Sequence, residues 1–206
     1  TLVSTGITSA DQAGAILKGP GGKIAILGDS YSAGEGADRY ESPTDERYNA
    51  CHRSLKTYLM PAFGLPIEHL KACSMAVTSY VTGPNKDNSL MQPDPENGGR
   101  PTLLPEPAQV ASLQKLQDRD NAAARAVVMT IGGNDAGFGQ VAASCLTAQE
   151  SCTRAIYTGA PFPTGRIDTD EFLAQNVGDK SGLPKSLASV YSSVNRSLNN
   201  ASEVKR

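Results

Sequence analysis

Tryptophan is absent from this 206-residue chain, and aromatic residues make up only 5% of it. A binding groove that grips sugars by ring stacking is disfavoured on that count. No apolar run reaches the roughly 20 residues that a helix needs to cross a bilayer. Basic and acidic residues nearly balance, 19 against 21, for a net charge of −2. No cationic surface therefore invites nucleic acid or an anionic membrane. No Cys-x-x-Cys occurs, and the two histidines, His52 and His69, make no zinc pattern with the cysteines. No repeat or low-complexity tract is present.

What remains suits a single domain with a full core. The four cysteines fall into two local groups, Cys51 with Cys73 and Cys145 with Cys152. Two readings fit: two local disulfides formed in an oxidising compartment, or four reduced thiols buried in the core.

Residues 1–21 read as a polar lead-in that closes on a Gly/Pro break, "KGPGGK", and residues 22–206 as the domain. Short apolar runs predict strands over 23–28 ("KIAILG") and 126–131 ("AVVMTI"), and alternation predicts another over 66–73. Helical spacing falls over 108–119, with Val110, Leu113 and Leu116, and over 183–200, with Leu187, Val190, Val194 and Leu198. Shorter helices are expected over 54–63, where Pro61 ends or kinks the run, and over 136–146 and 170–177. The Pro-rich stretch 82–107 reads as a surface excursion that shapes a cleft. This alternation predicts a three-layer α/β/α sandwich around a parallel sheet. Three strands make a thin sheet, so the domain is expected to continue beyond Arg206.

Two strand ends carry the chemistry. Gly28-Asp29-Ser30 follows the first strand, and Gly132-Gly133-Asn134-Asp135 follows the last. In open parallel sheets ligands bind beyond the carboxyl ends of the strands, so both turns point to one edge. A serine on such a turn lifts its hydroxyl and its own N–H toward the same opening. Attack on an ester creates an oxyanion that needs preorganised donors. The Ser30 N–H and the Asn134 carboxamide are two candidates. Asp29 and Asp135 are placed to fix the loops by accepting backbone N–H bonds. Alone, each turn reads as well as a helix cap or a plain turn; together, on successive strand ends, they point to a nucleophile.

"GDSYSAGEG" resembles block I of the SGNH hydrolases, the GDSL-type esterases and lipases, and "GGNDAGF" resembles their block III. "CHRS" (51–54) and "ACS" (72–74) resemble the secreted actinobacterial branch. The resemblance runs over about residues 22–157. It implies an SGNH-type, flavodoxin-like sandwich and a serine ester hydrolase without cofactor or metal. Ser30 would be the nucleophile. The Ser30 N–H, the Met75 N–H of block II and the Asn134 side chain would form the oxyanion hole. It also implies the pairings Cys51–Cys73 and Cys145–Cys152, and a secreted or cell-envelope location.

Two positions depart from that pattern. Met75 stands where the family carries glycine, a position that often has φ > 0. The C-terminal Asp-x-x-His block is absent. The resemblance gives His52 no base role, and His69 sits in an expected strand with a structural or surface role. The base is therefore expected downstream of Arg206, either in the same polypeptide or on a companion C-terminal fragment released after Lys205-Arg206. Glu35 reads as a loop carboxylate with local hydrogen bonds before it reads as a substrate contact, and Arg53 as the partner of a nearby acid. The expected partner is an ester-bearing small molecule, a lipid or an acylated glycan. The alternatives are an acyltransferase using the same site, and a non-catalytic module that binds an acylated ligand.

Overall fold

Ile24, Ala25, Ile26 and Leu27 are 0–2% exposed, and that burial on both faces explains why a short apolar run becomes a central parallel strand. The computed structural model describes residues 23–58, 60–94, 98–119, 124–147, 157–159, 162–167, 169–178 and 181–203. The expected lead-in 1–21 and Cys152 of the second expected disulfide lie outside them.

The elements in chain order are β1 (Lys23–Gly28), α1 (Ser30–Ala33), α2 (Met60–Phe63), α3 (Thr78–Thr82), β2 (Asn85–Asp94), β3 (Arg100–Glu106), α4 (Gln109–Arg119), β4 (Ala124–Thr130), α5 (Phe138–Thr147), β5 (Tyr157–Gly159), β6 (Phe162–Ile167), α6 (Thr169–Val177) and α7 (Leu183–Glu203). β1 pairs in parallel with β4, placing Leu27 beside Met129 and Gly28 beside Thr130. On its other edge, Ile26 bridges Leu70. The Lys71 and Ala72 N–H groups donate to the Ile26 carbonyl at 2.7 and 3.1 Å, and the Cys73 N–H donates to the Gly28 carbonyl at 3.0 Å. The spatial order is thus segment 70–73, β1, β4.

Strand alternation sorts the core into two halves. On one face, Ala25 and Leu27 pack with Val127 and Met129 against Leu113, Leu116, Val190 and Val194 of α4 and α7. On the other, Ile26 packs with Ala33, Met60, Leu70 and Ala72. Helices therefore cover both faces of a parallel sheet, the α/β architecture that the alternation predicts.

Three stretches differ from their sequence reading. Of the strand expected over 66–73, a single bridge at Leu70 and the hydrogen bonds of residues 71–73 to β1 form; Ile67–His69 is a 3-10 turn begun by Pro66. Of the helix expected over 54–63, only Met60–Phe63 is helical among the described residues. The excursion at 82–107 is largely the antiparallel hairpin β2–β3, in which Pro93 faces Pro101. Every strand of a two-stranded ribbon is an edge, so prolines there break no central ladder. The β5–β6 hairpin had no sequence signal, because its strands are short and interrupted by glycine and proline.

Candidate active site

The nucleophile candidate stands on a rigid turn. Gly28 has φ 122°, and a Cβ there would lie 2.0 Å from the Thr130 carbonyl oxygen. Only glycine lets β1 end this close to β4. The Gln109 carboxamide closes the same strand end from α4, accepting from the Gly28 N–H at 2.7 Å and donating to its carbonyl at 2.8 Å. Asp29 caps α1: its Oδ1 accepts from the Tyr31 N–H at 3.3 Å and from the Thr130 hydroxyl at 2.7 Å. Burial pushes the Asp29 carboxyl above its ordinary pKa, against the hydrogen bonds that pull it down. The Ser30 N–H donates to no acceptor among the described residues, which leaves it open as the first N–H of the helix.

The second turn is held by its own side chains. Gly132 has φ 105°. Asn134 Nδ2 donates to the Ala76 carbonyl at 2.8 Å, which fixes the amide orientation and leaves its second N–H free to donate. The Asp135 carboxylate accepts from the Thr78 N–H at 2.9 Å and from its hydroxyl at 2.6 Å. It therefore caps α3 from across the sheet edge. Both aspartates fix loops by accepting backbone N–H bonds, the role read for them from sequence.

Between these turns runs Ser74-Met75-Ala76. Met75 has φ 63° and is 66% exposed. A left-handed non-glycine residue costs of order 1–3 kcal/mol and persists only where its surroundings over-determine it. Cys73 is bonded to Cys51, the disulfide that both the spacing and the resemblance suggested, and both sulfurs are buried. The Ser74 N–H donates to the Cys51 carbonyl at 3.0 Å. The Met75 N–H has no acceptor among the described residues.

A cavity of about 330 Å³ opens at this edge, lined by Asp29, Ser30, Glu35, Thr130, Gly133 and Asn134, with Tyr31 and Phe138 beside them. Tyr31 and Phe138 are 70% and 67% exposed and give its mouth an apolar rim. Ser30 and Asn134, about a hundred positions apart in sequence, are thus walls of one cavity. Met75 is not among its lining residues; it joins the site through Ala76, whose carbonyl Asn134 holds.

The histidines lie elsewhere. His69 Nδ1 donates to the Ile24 carbonyl at 2.8 Å, at the end of β1 opposite Ser30, and is buried. His52 Nδ1 donates to Glu35 at 2.7 Å. Neither is hydrogen-bonded to Ser30. Arg53 pairs with Glu106 in the interior, the acid partner that its sequence reading called for, and the pair fastens the base of the β2–β3 hairpin. Cys51, Cys73 and Glu106 converge, but the disulfide removes both thiolates as ligands. Sequence reasoning missed Gln109, Ser74, Thr78 and Thr130, which act through hydrogen bonds to residues distant in the chain and leave no spacing signal.

No family model and no curated protein matches the chain. Among solved structures, the extracellular lipase from Streptomyces rimosus matches with 23% identity and a TM-score of 0.52, over 85% of this chain and 55% of that one. The phospholipase A1 from Streptomyces albidoflavus NA297 matches with 26% identity and a TM-score of 0.46, over 85% and 54%. The chain spans about half the length of these structures, and over that span it shares the fold of the Streptomyces rimosus lipase.

Proposed function

We propose that this chain carries the nucleophile and the oxyanion donors of an SGNH-type serine ester hydrolase. The observation that carries the reading is the shared cavity, in which Ser30 on the turn after β1 meets Asn134 on the turn after β4. A base takes the Ser30 Oγ proton as Oγ bonds to the ester carbonyl carbon. The carbonyl oxygen becomes an oxyanion, which accepts from the Ser30 N–H, the free Asn134 amide N–H and the Met75 N–H. Collapse expels the alcohol, which leaves with the proton, and water then releases the acid from the acyl-enzyme. A sugar or other alcohol in place of water would make the same site an acyltransferase.

The base in this reading is a histidine outside these 206 residues, on the same polypeptide or on a companion fragment. The substrate class is an ester-bearing small molecule, lipid or acylated glycan; the apolar rim of Tyr31 and Phe138 favours an acyl chain. The buried disulfide favours an extracytoplasmic location. The likeness to an extracellular lipase supports a lipolytic ester hydrolase.

A second reading has its own support. The Ser30 hydroxyl has no hydrogen-bond partner among the described residues, as a module that merely binds an acylated ligand would allow. Fluorophosphonate labelling with peptide mapping separates the two. Performed on the 206-residue chain and on the natural-length protein, it is expected to mark Ser30 in the latter and to be lost in Ser30→Ala. A folded natural-length protein that takes no label at Ser30 would establish the binding module.

A further inference from the structure

Three chain segments meet on one carboxylate beside the Met75 turn. Glu35, two residues beyond α1, accepts at Oε2 from the Ser74 hydroxyl and from His52 Nδ1. His52 is itself left-handed, at φ 48°. Its ring stacks on Tyr40, with centroids 4.9 Å apart, and its Nε2 lies 3.5 Å from Asp45. Ser74 directly precedes Met75, and Glu35 lines the Ser30 cavity.

The turn is pinned on each side of Met75. Cys73 is fixed by its disulfide and by the Gly28 carbonyl. Ala76 is fixed by Asn134 and by its own N–H to the Cys73 carbonyl at 3.1 Å. The peptide between them is steered by Ser74, whose side chain has Glu35 as its acceptor. Glu35 is thus the link from the segment carrying the nucleophile to the left-handed residue.

We propose that Glu35 is a positioning residue that, through Ser74, keeps Met75 left-handed with its N–H turned to the Ser30 cavity, while His52 holds the carboxylate in place. This rests on the reading of the Met75 N–H as an oxyanion donor. Partial burial pushes the Glu35 carboxyl up, but the bonds from Ser74 and His52 outweigh it and leave the pKa below the ordinary value. The clamp is therefore ionised at neutral pH.

The Met75 Cα and Cβ chemical shifts report its backbone conformation without any activity. In Glu35→Ala and in Ser74→Ala they are expected to move toward values of ordinary backbone, whereas in Glu35→Gln, whose amide oxygen can still accept from Ser74, they stay near wild type. Either alanine variant, folded by its β1 and β4 amide shifts and yet unchanged at Met75, would overturn the proposal. On the natural-length protein, Glu35→Ala is expected to slow phosphonate labelling of Ser30 on the order of 10²-fold, the usual loss for one oxyanion donor. That loss should shrink in a Met75→Gly background, where no clamp is needed; an undiminished loss counts against positioning. An unlabelled wild type removes the hydrolase reading and leaves the chemical-shift test standing.

Discussion

The Asn134 carboxamide donates to the Ala76 carbonyl at 2.8 Å, and this one bond ties the turn after β4 to the turn after segment 70–73. It does two jobs. It fixes which end of the amide is nitrogen, and it aligns the two loops that flank Ser30. Asn134→Ala is expected to lower the rate of Ser30 acylation by about 10²–10³-fold. It should also cost about 1 kcal/mol of stability through the orphaned Ala76 carbonyl. Asn134→Asp should be at least as damaging to acylation, because a carboxylate cannot donate to that carbonyl. Labelling rates on the natural-length protein, read beside urea midpoints, check both effects; an unimpaired rate in the alanine variant removes Asn134 from the oxyanion hole.

Asp135 acts on structure. Its carboxylate takes both the N–H and the hydroxyl of Thr78 at the start of α3, so Asp135→Ala removes a charged cap. The expected cost is about 1–2 kcal/mol, seen as a lower urea midpoint with an unchanged slope. Asp135→Asn should recover part of it, since an amide oxygen still accepts. A fully stable alanine variant would show that Thr78 finds another acceptor.

The Cys51–Cys73 disulfide closes a span of 22 residues. Loop-closure entropy assigns such a link about 3 kcal/mol, because it removes conformational freedom from the unfolded chain. Both sulfurs are buried, so a thiol reductant should act only as fast as the domain opens. A Cys51→Ala, Cys73→Ala double variant is expected to lose that stability and to broaden the Met75 amide signal. Rapid reduction under native conditions would contradict the burial.

Asp29 makes stability depend on pH in an unusual direction. Its folded pKa is raised, chiefly by burial, so the folded state holds its proton more tightly than the unfolded chain does. The penalty for ionising it is absent below the unfolded pKa. It grows as pH rises and is complete above the folded pKa. Asp29→Asn keeps an oxygen for Tyr31 and Thr130 and carries no charge. Relative to wild type, the variant should gain stability on going from acidic to neutral pH. Urea midpoints of the pair across that range decide it; a gap that is flat, or that runs the other way, would mean that the hydrogen bonds outweigh burial.

The two glycine-led turns were legible because their signals are local. An apolar run that ends in Gly-Asp-Ser, and another that ends in Gly-Gly-Asn-Asp, each announce a strand and its exit. Parallel pairing then brings the two exits to one edge. The helices α4 and α7 were legible for the same reason, through the spacing of Leu113 and Leu116 and of Val190 and Val194. The β2–β3 hairpin was not. Proline and asparagine mark it as loop, and only its pairing with itself, anchored by the buried Arg53–Glu106 pair, makes it a ribbon.

The sequence by itself determined the parallel α/β layering and the residues that crown its two strand ends, and its resemblance to a known family implied the pairing of its first two cysteines. Tertiary structure alone decided that Met75 is left-handed, that Gln109 seals the end of β1, and that Glu35 gathers Ser74 and His52. The reason is physical. Periodicity and turn chemistry act over a few neighbouring residues and are written in their order, whereas a single hydrogen bond between distant loops depends on where the fold has carried them.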